Sequence, residues 1–189
     1  LINLKGKKQI YNASICLECM QILQNKGYAI SEEVIRKGLM TVIHRARFEK
    51  LYKKPTIIYD GAHNKPAMQN LINSVNMYYK NNKKIFIVSI LKTKDYKGML
   101  EELVKDENSI YIFTNGDNTE RYVKGEILSN TAKKINIRAN VQVKDIKDAL
   151  TYVIEDYDDY TIFIVGSFYV YGDVLNKLKE VKDESINCN

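Results

Sequence analysis

Beyond Pro55 the sequence alternates short apolar runs with longer stretches of helical periodicity, and this alternation limits the possible folds more than any other feature. The apolar runs predict strands at 56–59, 85–90, 109–114 and 161–165, with a shorter strand near 139–143. The stretches between them predict helices at about 65–81, 95–105, 121–135 and 144–155. Because the strands are almost continuously apolar, both faces of their sheet must be covered. We therefore predict an α/β domain, a mostly parallel sheet with helices on both faces.

The residues before Pro55 follow a helical pattern without strands. An amphipathic helix is predicted at 9–26, and Gly27 is a typical residue for its C-terminal stop. Ser31, followed by two acidic residues, predicts the start of a second helix that runs to about residue 42. We expect a helical segment at 1–45, a linker at 46–54 and the α/β domain at 55–189. The apolar face of the first helix contains Ile10, Ala13, Ile15, Leu17, Met20, Ile22 and Leu23.

Positive charge is concentrated at the start of the chain. The net charge of the 189 residues is +6, and residues 1–54 contain 11 basic and 4 acidic side chains. Such a segment suits a phosphorylated ligand, a nucleic acid or a membrane surface, although compositional drift towards lysine explains it as well. Arginine is scarce and no aromatic side chains are interleaved with the lysines, which argues against a nucleic-acid partner. The apolar runs are far too short for a membrane span, so we expect no membrane partner either.

The three cysteines do not form the pattern of a metal site. Cys16 and Cys19 are spaced as C-x-x-C on the first predicted helix, without a second pair or a nearby histidine, and Cys188 lies far away. We expect Cys16 and Cys19 to be small buried residues. The odd number of cysteines in the chain and the absence of a signal segment favour a reducing cytoplasm. The chain begins with Leu1 rather than Met, and we expect it to be a piece of a longer protein.

The segment after the first strand of the α/β domain is the strongest candidate for a binding loop. It reads Asp60-Gly-Ala-His63-Asn64, and in parallel sheets ligands bind where the strands end. The carboxylate of Asp60 suits a pair of ribose hydroxyls, and His63 adds a donor or acceptor beside it. The alternative is a plain strand-to-helix turn with Asn64 as the N-cap and Pro66 in the first turn.

The last strand ends in Gly166-Ser167-Phe168-Tyr169, which predicts a second loop at the same edge of the sheet. Turn chemistry and aromatic packing explain this loop equally well. The sequence contains neither G-x-G-x-x-G after a strand nor G-x-x-x-x-G-K-S/T, so it offers no phosphate loop of its own. A sheet of this type without a phosphate loop is typical of one half of a site shared by two domains.

The ordered motifs of the chain resemble folylpolyglutamate synthase, an enzyme that is often bifunctional with dihydrofolate synthase and belongs to the Mur ligase superfamily. The resemblance covers essentially the whole chain. It implies that residues 1–45 are the last helices of a central ATPase domain, and that residues 55–189 are a C-terminal Rossmann-like domain. The motifs are Gly6, Gln9-x-x-Asn12-Ala13, Arg47-Phe48-Glu49, Asp60-Gly-Ala-His63-Asn64, Lys94-Asp95, Arg121 and Gly166-Ser167-Phe168-Tyr169.

The resemblance also implies residue roles. Asn12 would contact adenine, Arg47 the ATP phosphates and Asp60 the ribose, while His63 and Ser167 would face glutamate; Arg47 and His63 would be the catalytic residues. The implied reaction activates a folate γ-carboxylate as an acyl phosphate, which the amino group of L-glutamate then attacks. Reduced folates or dihydropteroate would be the acceptors. Magnesium and the phosphate loop would be held upstream, and the parent protein would be monomeric.

The sequence departs from the family pattern at three motifs. Lys8 replaces the usual histidine of G-x-H-Q, Thr93 replaces the first aspartate of D-K-D, and Ala46 stands where W-P-G-R-F-E has glycine. Three alternatives stay open at this point. Arg47 could be an exposed charge paired with Glu49, and the chain could be a cell-wall peptide ligase of the Mur type or a stand-alone nucleotide or amino-acid binding module.

Overall fold

The computed structural model describes residues 2–115 and 120–187, with side chains to residue 181, and its centre is a six-stranded sheet. The strand order is β1-β2-β6-β3-β4-β5, and every neighbouring pair is parallel except the antiparallel pair β1–β2. The strands are β1 Glu49–Tyr52, β2 Thr56–Asp60, β3 Lys84–Val88, β4 Ile110–Phe113, β5 Asn140–Val143 and β6 Thr161–Val165. The helices are α1 Lys7–Asn25, α2 Glu32–Thr41, α3 Lys65–Tyr78, α4 Tyr96–Leu103, α5 Gly125–Ile135, α6 Ile146–Asp156 and α7 Tyr171–Asn187.

Helices cover both faces of the sheet, which confirms the predicted α/β architecture. Alternate residues of each strand point to opposite faces, so that Ile58 and Phe163 lie in one core cluster while Ile57 and Ile164 lie in the other. Residues of α3, α4 and α5 complete the first cluster, and residues of α6 and α7 complete the second. This two-sided burial is the physical reason for the continuous apolar runs.

Two elements of the α/β part were not predicted. The segment expected to be a linker, 46–54, contains β1, which pairs with β2 through Glu49 opposite Tyr59. The side chains of Leu51 and Tyr52 pack against the cluster that α6 and α7 cover, so the segment is part of the sheet. The other element is α7, whose Val174 and Leu178 are buried on that same face.

The N-terminal helices lie beside this sheet and bury little of their own surface. Both predicted helices are present: Gly27 follows α1 with a φ of 91°, and the Ser31 hydroxyl accepts a hydrogen bond from the Val34 N–H at the start of α2. The prediction that Cys16 and Cys19 are buried is wrong, because α1 contacts α2 and α3 along a narrow face and leaves both thiols exposed. Cys188 lies outside the described residues. None of the described helices is both long and apolar enough to cross a membrane.

Candidate functional site

Two loops that follow neighbouring strands form the core of the candidate site. β2 and β6 are parallel partners with Asp60 opposite Val165, so the loops after these two residues emerge side by side at the carboxyl edge of the sheet. Asn64 caps α3 by accepting a hydrogen bond from the Ala67 N–H at 2.8 Å, and Pro66 lies in the first turn. The strand-to-helix turn predicted from the sequence, with its Asn64 cap and Pro66, is therefore present. Whether the loop can also bind a ligand depends on the side chains around it.

The carboxylate of Asp60 accepts hydrogen bonds from two backbone N–H groups of the site. Its Oδ2 accepts from the Phe48 N–H at 3.0 Å, and its Oδ1 accepts from the Ala62 N–H at 2.9 Å. Burial raises the pKa of Asp60, while these two N–H donors and the nearby Arg47 and His63 partly offset the rise. A carboxylate has about four acceptor positions, so about two lone pairs of Asp60 stay available for a ligand.

The segment that carries Arg47 is bent by two unusual backbone conformations. Ala46 has a φ of 57° and Phe48 a φ of 46°, and each such left-handed residue costs about 1–2 kcal/mol when it is not glycine. Hydrogen bonds hold this bend in place: the Ala46 N–H donates to Glu49 Oε2 at 2.7 Å, and the Gly61 N–H donates to the Ala46 carbonyl at 2.8 Å. Arg47 is thus displayed from a strained but well-supported turn.

The partner of Glu49 is Arg45 rather than Arg47. Arg45 Nη1 lies 2.5 Å from Glu49 Oε1, and the hydroxyl of Tyr171 donates to Glu49 Oε2 at 2.8 Å. The guanidinium of Arg47 instead lies over the ring of Phe168, with 5.0 Å between the guanidinium carbon and the ring centroid. The alternative in which Arg47 is an exposed charge paired with Glu49 is therefore not what the structure shows.

The first cavity of the site, of about 270 Å³, brings together the three residues that the resemblance assigned to ATP. Asn12, Arg47 and Asp60 all line it, together with Lys5 and Lys8. The amide of Asn12 is exposed and donates to Gln9 Oε1 at 3.0 Å. Three cations face one carboxylate here, and such a balance favours an anionic ligand.

The second cavity, of about 370 Å³, contains His63 and Ser167. His63 Nδ1 lies 2.9 Å from the Gly61 carbonyl, which can only accept, so Nδ1 carries the proton and Nε2 is the acceptor of the neutral ring. Ser167 is buried, and its Oγ accepts from the Tyr169 N–H at 3.1 Å, so its hydroxyl proton can still be donated. Lys94 and Arg121 also line this cavity; both belong to the motifs of the resemblance, but no role was assigned to them from the sequence.

Phe168 lines the second cavity, contacts Arg47 of the first cavity, and was not predicted as a site residue. Its ring packs against Arg47 on one side and lies 5.5 Å from the His63 ring, centroid to centroid. A Cβ on Gly61 would lie 2.2 Å from the Phe168 ring, so the ring can pack in this position only because residue 61 is glycine. The sequence signal was the pair of motifs that contain Gly61 and Phe168, but their contact depends on the pairing of β2 with β6.

Comparison with known proteins finds relatives that are named dihydrofolate synthase or folylpolyglutamate synthase. The chain is 24% identical over 179 residues to dihydrofolate synthase/folylpolyglutamate synthase of Bacillus subtilis (strain 168), and 26% identical over 179 residues to folylpolyglutamate synthase of Lacticaseibacillus casei. Each match covers 94% of this chain and 40% of the relative, so the chain spans about two fifths of the length of these proteins.

Among solved structures, folylpolyglutamate synthase of Mycobacterium tuberculosis complexed with ADP and AMPPCP matches with a TM-score of 0.77 at 21% identity. The match covers 92% of this chain and 40% of that one, and it shows that the fold is shared. A family model described as the C-terminal domain of dihydrofolate synthetase matches residues 44–177, which is most of the chain. The resemblance drawn from the motifs is thereby confirmed, and the chain belongs to the family of dihydrofolate synthetase C-terminal domains.

Proposed function

We propose that this chain is the C-terminal part of an ATP-dependent ligase that adds L-glutamate to folates and so has folylpolyglutamate synthase activity. Use of dihydropteroate as the acceptor would give the same protein dihydrofolate synthase activity. The observation that carries the proposal is the cation-rich cavity lined by Asn12, Arg47 and Asp60. The names of the relatives, and the ADP and AMPPCP bound to the Mycobacterium tuberculosis protein, support a nucleotide as the ligand and folate as the substrate class.

In this proposal the first cavity binds part of ATP. Arg47 stays charged at any working pH and matches phosphate geometry, so it would offset the charge that develops as the γ-phosphoryl group moves. The free lone pairs of Asp60 would accept hydrogen bonds from the ribose hydroxyls, and the exposed amide of Asn12 would contact adenine. Magnesium and the loop that holds the triphosphate would be supplied by another part of the protein.

The second cavity would then bind glutamate. Lys94 and Arg121 can pair with its carboxylates, and the hydroxyl of Ser167 can donate a hydrogen bond. The carboxylate of a reduced folate or of dihydropteroate takes the γ-phosphoryl group of ATP, which leaves ADP and an acyl phosphate. The amino group of glutamate attacks this carbonyl, phosphate leaves, and His63 Nε2 would accept the amine proton. We further propose that the protein is a cytoplasmic monomer.

The test compares the 189-residue chain with the full-length protein that contains it. We expect ADP release that depends on both folate and glutamate from the full-length protein, and none from the 189-residue chain. Arg47→Ala should lower kcat/KM for ATP at least about tenfold, because it removes a charged phosphate contact. Arg138→Ala is the matched control, since Arg138 is exposed and pairs with Glu107 far from the site. Micromolar binding of ATP or glutamate to the 189-residue chain alone would instead favour a stand-alone binding module.

The ribose contact of Asp60 needs a separate test, because Asp60 also holds the Phe48 N–H and its removal would disturb Arg47 as well. Changing the nucleotide avoids this problem. We expect 2′-deoxy-ATP or 3′-deoxy-ATP to have a KM about tenfold to a hundredfold above that of ATP, the cost of one lost hydrogen bond to a charged group. The difference between ATP and the deoxy nucleotides should shrink in Asp60→Asn. Equal KM values for all three nucleotides would refute the ribose contact.

A further inference from the structure

The position of Arg47 depends on its neighbours more than on its own contacts. The residues on both sides of it have positive φ values, 57° at Ala46 and 46° at Phe48, which amino acids with a side chain rarely adopt. A turn of this kind keeps one conformation only where the surrounding structure enforces it. The groups that bond to the Ala46 and Phe48 backbone therefore decide where the Arg47 guanidinium points.

Two carboxylates hold this turn, and each takes one of its N–H groups. Asp60 accepts from Phe48 and already has a proposed role as a ribose ligand. Glu49 accepts from Ala46 at 2.7 Å and has no role in the proposed reaction. Its side chain is about nine-tenths buried, with 11% of its surface exposed, so its orientation is set by its donors rather than by water.

Tyr171, the first residue of α7, fixes the Glu49 carboxylate from the opposite side. Its hydroxyl donates to the same oxygen, Oε2, that accepts the Ala46 N–H. The Tyr171 ring is itself held by an edge contact with the buried Tyr59 ring, 5.0 Å between centroids. The hydroxyl of Tyr59 donates to the Ser167 carbonyl at 2.5 Å, so the support reaches the loop after β6.

We propose that Glu49 and Tyr171 are positioning residues that hold Arg47 in place for a nucleotide phosphate. The inference rests on the proposed function, since it needs Arg47 to contact ATP. Without the Tyr171 hydroxyl, Oε2 loses one of its two donors and the carboxylate is free to turn towards Arg45 and solvent. The Ala46 N–H then loses its acceptor, and the turn relaxes towards ordinary backbone conformations that point Arg47 elsewhere.

The decisive variant is Tyr171→Phe in the full-length protein, because it removes one hydroxyl and keeps the ring packed on Tyr59. Tyr152→Phe is the matched control, because it also removes a half-buried hydroxyl. Tyr152 lies in α6, and its hydroxyl bonds to that of Tyr157, the residue after the helix. We expect Tyr171→Phe to weaken binding of AMPPCP, which keeps a γ-phosphate, about threefold to tenfold by calorimetry. This is less than a directly lost hydrogen bond to a charged group, because the hydroxyl acts on the nucleotide only through Glu49 and Arg47. Tyr152→Phe should leave AMPPCP binding unchanged.

A double-mutant cycle separates positioning from a general loss of stability. In an Arg47→Ala background the Tyr171→Phe change should have no further effect on AMPPCP binding, because there is no guanidinium left to position. Equal effects in both backgrounds, or no effect of Tyr171→Phe in either, would overturn the inference. If Arg47→Ala itself leaves AMPPCP binding and ATP use unchanged, the proposed role of Arg47 fails first. Exchange of the Ala46 amide hydrogen, measured in the 189-residue chain, should also become faster in Tyr171→Phe.

Discussion

Replacement of Asp60 by alanine should destabilise the chain, and the structure sets the size of the effect. The carboxylate is the acceptor for two backbone donors, the Phe48 N–H at 3.0 Å and the Ala62 N–H at 2.9 Å, and both residues are buried. An orphaned buried donor costs about 1–3 kcal/mol, and water from the adjoining cavity can satisfy part of that loss. The substitution also removes the cost of burying the Asp60 charge, which is visible in the raised pKa of Asp60, and this gain partly offsets the lost hydrogen bonds. We expect a net decrease of about 2 kcal/mol in the free energy of unfolding.

Thermal and urea unfolding of the 189-residue chain would measure this decrease. For a domain of this size about 2 kcal/mol corresponds to a fall in Tm of roughly 4–8 °C. The matched control is Asp159→Ala, because Asp159 is an exposed aspartate whose partner is Lys83 and whose ion pair should contribute less than about 1 kcal/mol. Asp60→Asn keeps one acceptor oxygen and should fall between the two. If Asp60→Ala and Asp159→Ala unfold alike, Asp60 does not hold the turn before β1.

Three further predictions concern the same chain. Gly61→Ala should cost about 1–3 kcal/mol in thermal unfolding, because the new Cβ would lie 2.2 Å from the aromatic ring above it; Gly172→Ala, with nothing within 4 Å, should cost nothing. Burial alone would raise the pKa of Glu49, but its three hydrogen-bond donors lower this pKa overall. The contribution of Glu49 to stability is therefore present above the unfolded pKa of about 4.3 and is lost as the pH falls through the folded pKa. In urea unfolding from pH 3 to 7, the advantage of the parent chain over Glu49→Gln should hold above about pH 5 and shrink below about pH 4, and an advantage that grows with acid would contradict this sign. Cys16 and Cys19 should both react with a thiol reagent in the native chain, so each single serine variant should lose one rapid reaction, and reaction only after denaturation would show that α1 is covered.

Most of the α/β fold could be predicted because the burial of its central strands appears in the sequence as continuous apolar runs. Strands covered on both faces need continuous apolar residues, and β2, β3, β4 and β6 have them. β1 lacks this signal, since it lies at the edge of the sheet, where Lys50 is exposed and its other residues are only half-buried. The start of α7 was hidden for another reason: Gly172 is its second residue, and Gly166-Ser167-Phe168-Tyr169 just before it reads as a turn.

The candidate site was only partly predictable. The family resemblance implied that Asn12, Arg47 and Asp60 contact one ligand, and the structure brings them around one cavity. The sequence could not show that Asp60 also holds the Phe48 backbone, because this bond depends on a turn with positive φ at residues that are not glycine. The burial of cysteines was misjudged because periodicity shows which face of a helix is apolar and does not show what covers that face.

The altered motif around Arg47 now has a physical explanation. The family pattern has glycine where this chain has Ala46, and the φ of 57° shows why glycine suits that position. Alanine there costs about 1–2 kcal/mol in backbone strain. Against this, its buried methyl group contributes about 0.8 kcal/mol, and alanine loses about 0.5–1 kcal/mol less backbone entropy on folding than glycine does. The terms nearly cancel, so the bonds from Ala46 to Glu49 and Gly61 suffice to keep the bend. The geometry that presents Arg47 therefore resides in the two carboxylates and not in the glycine.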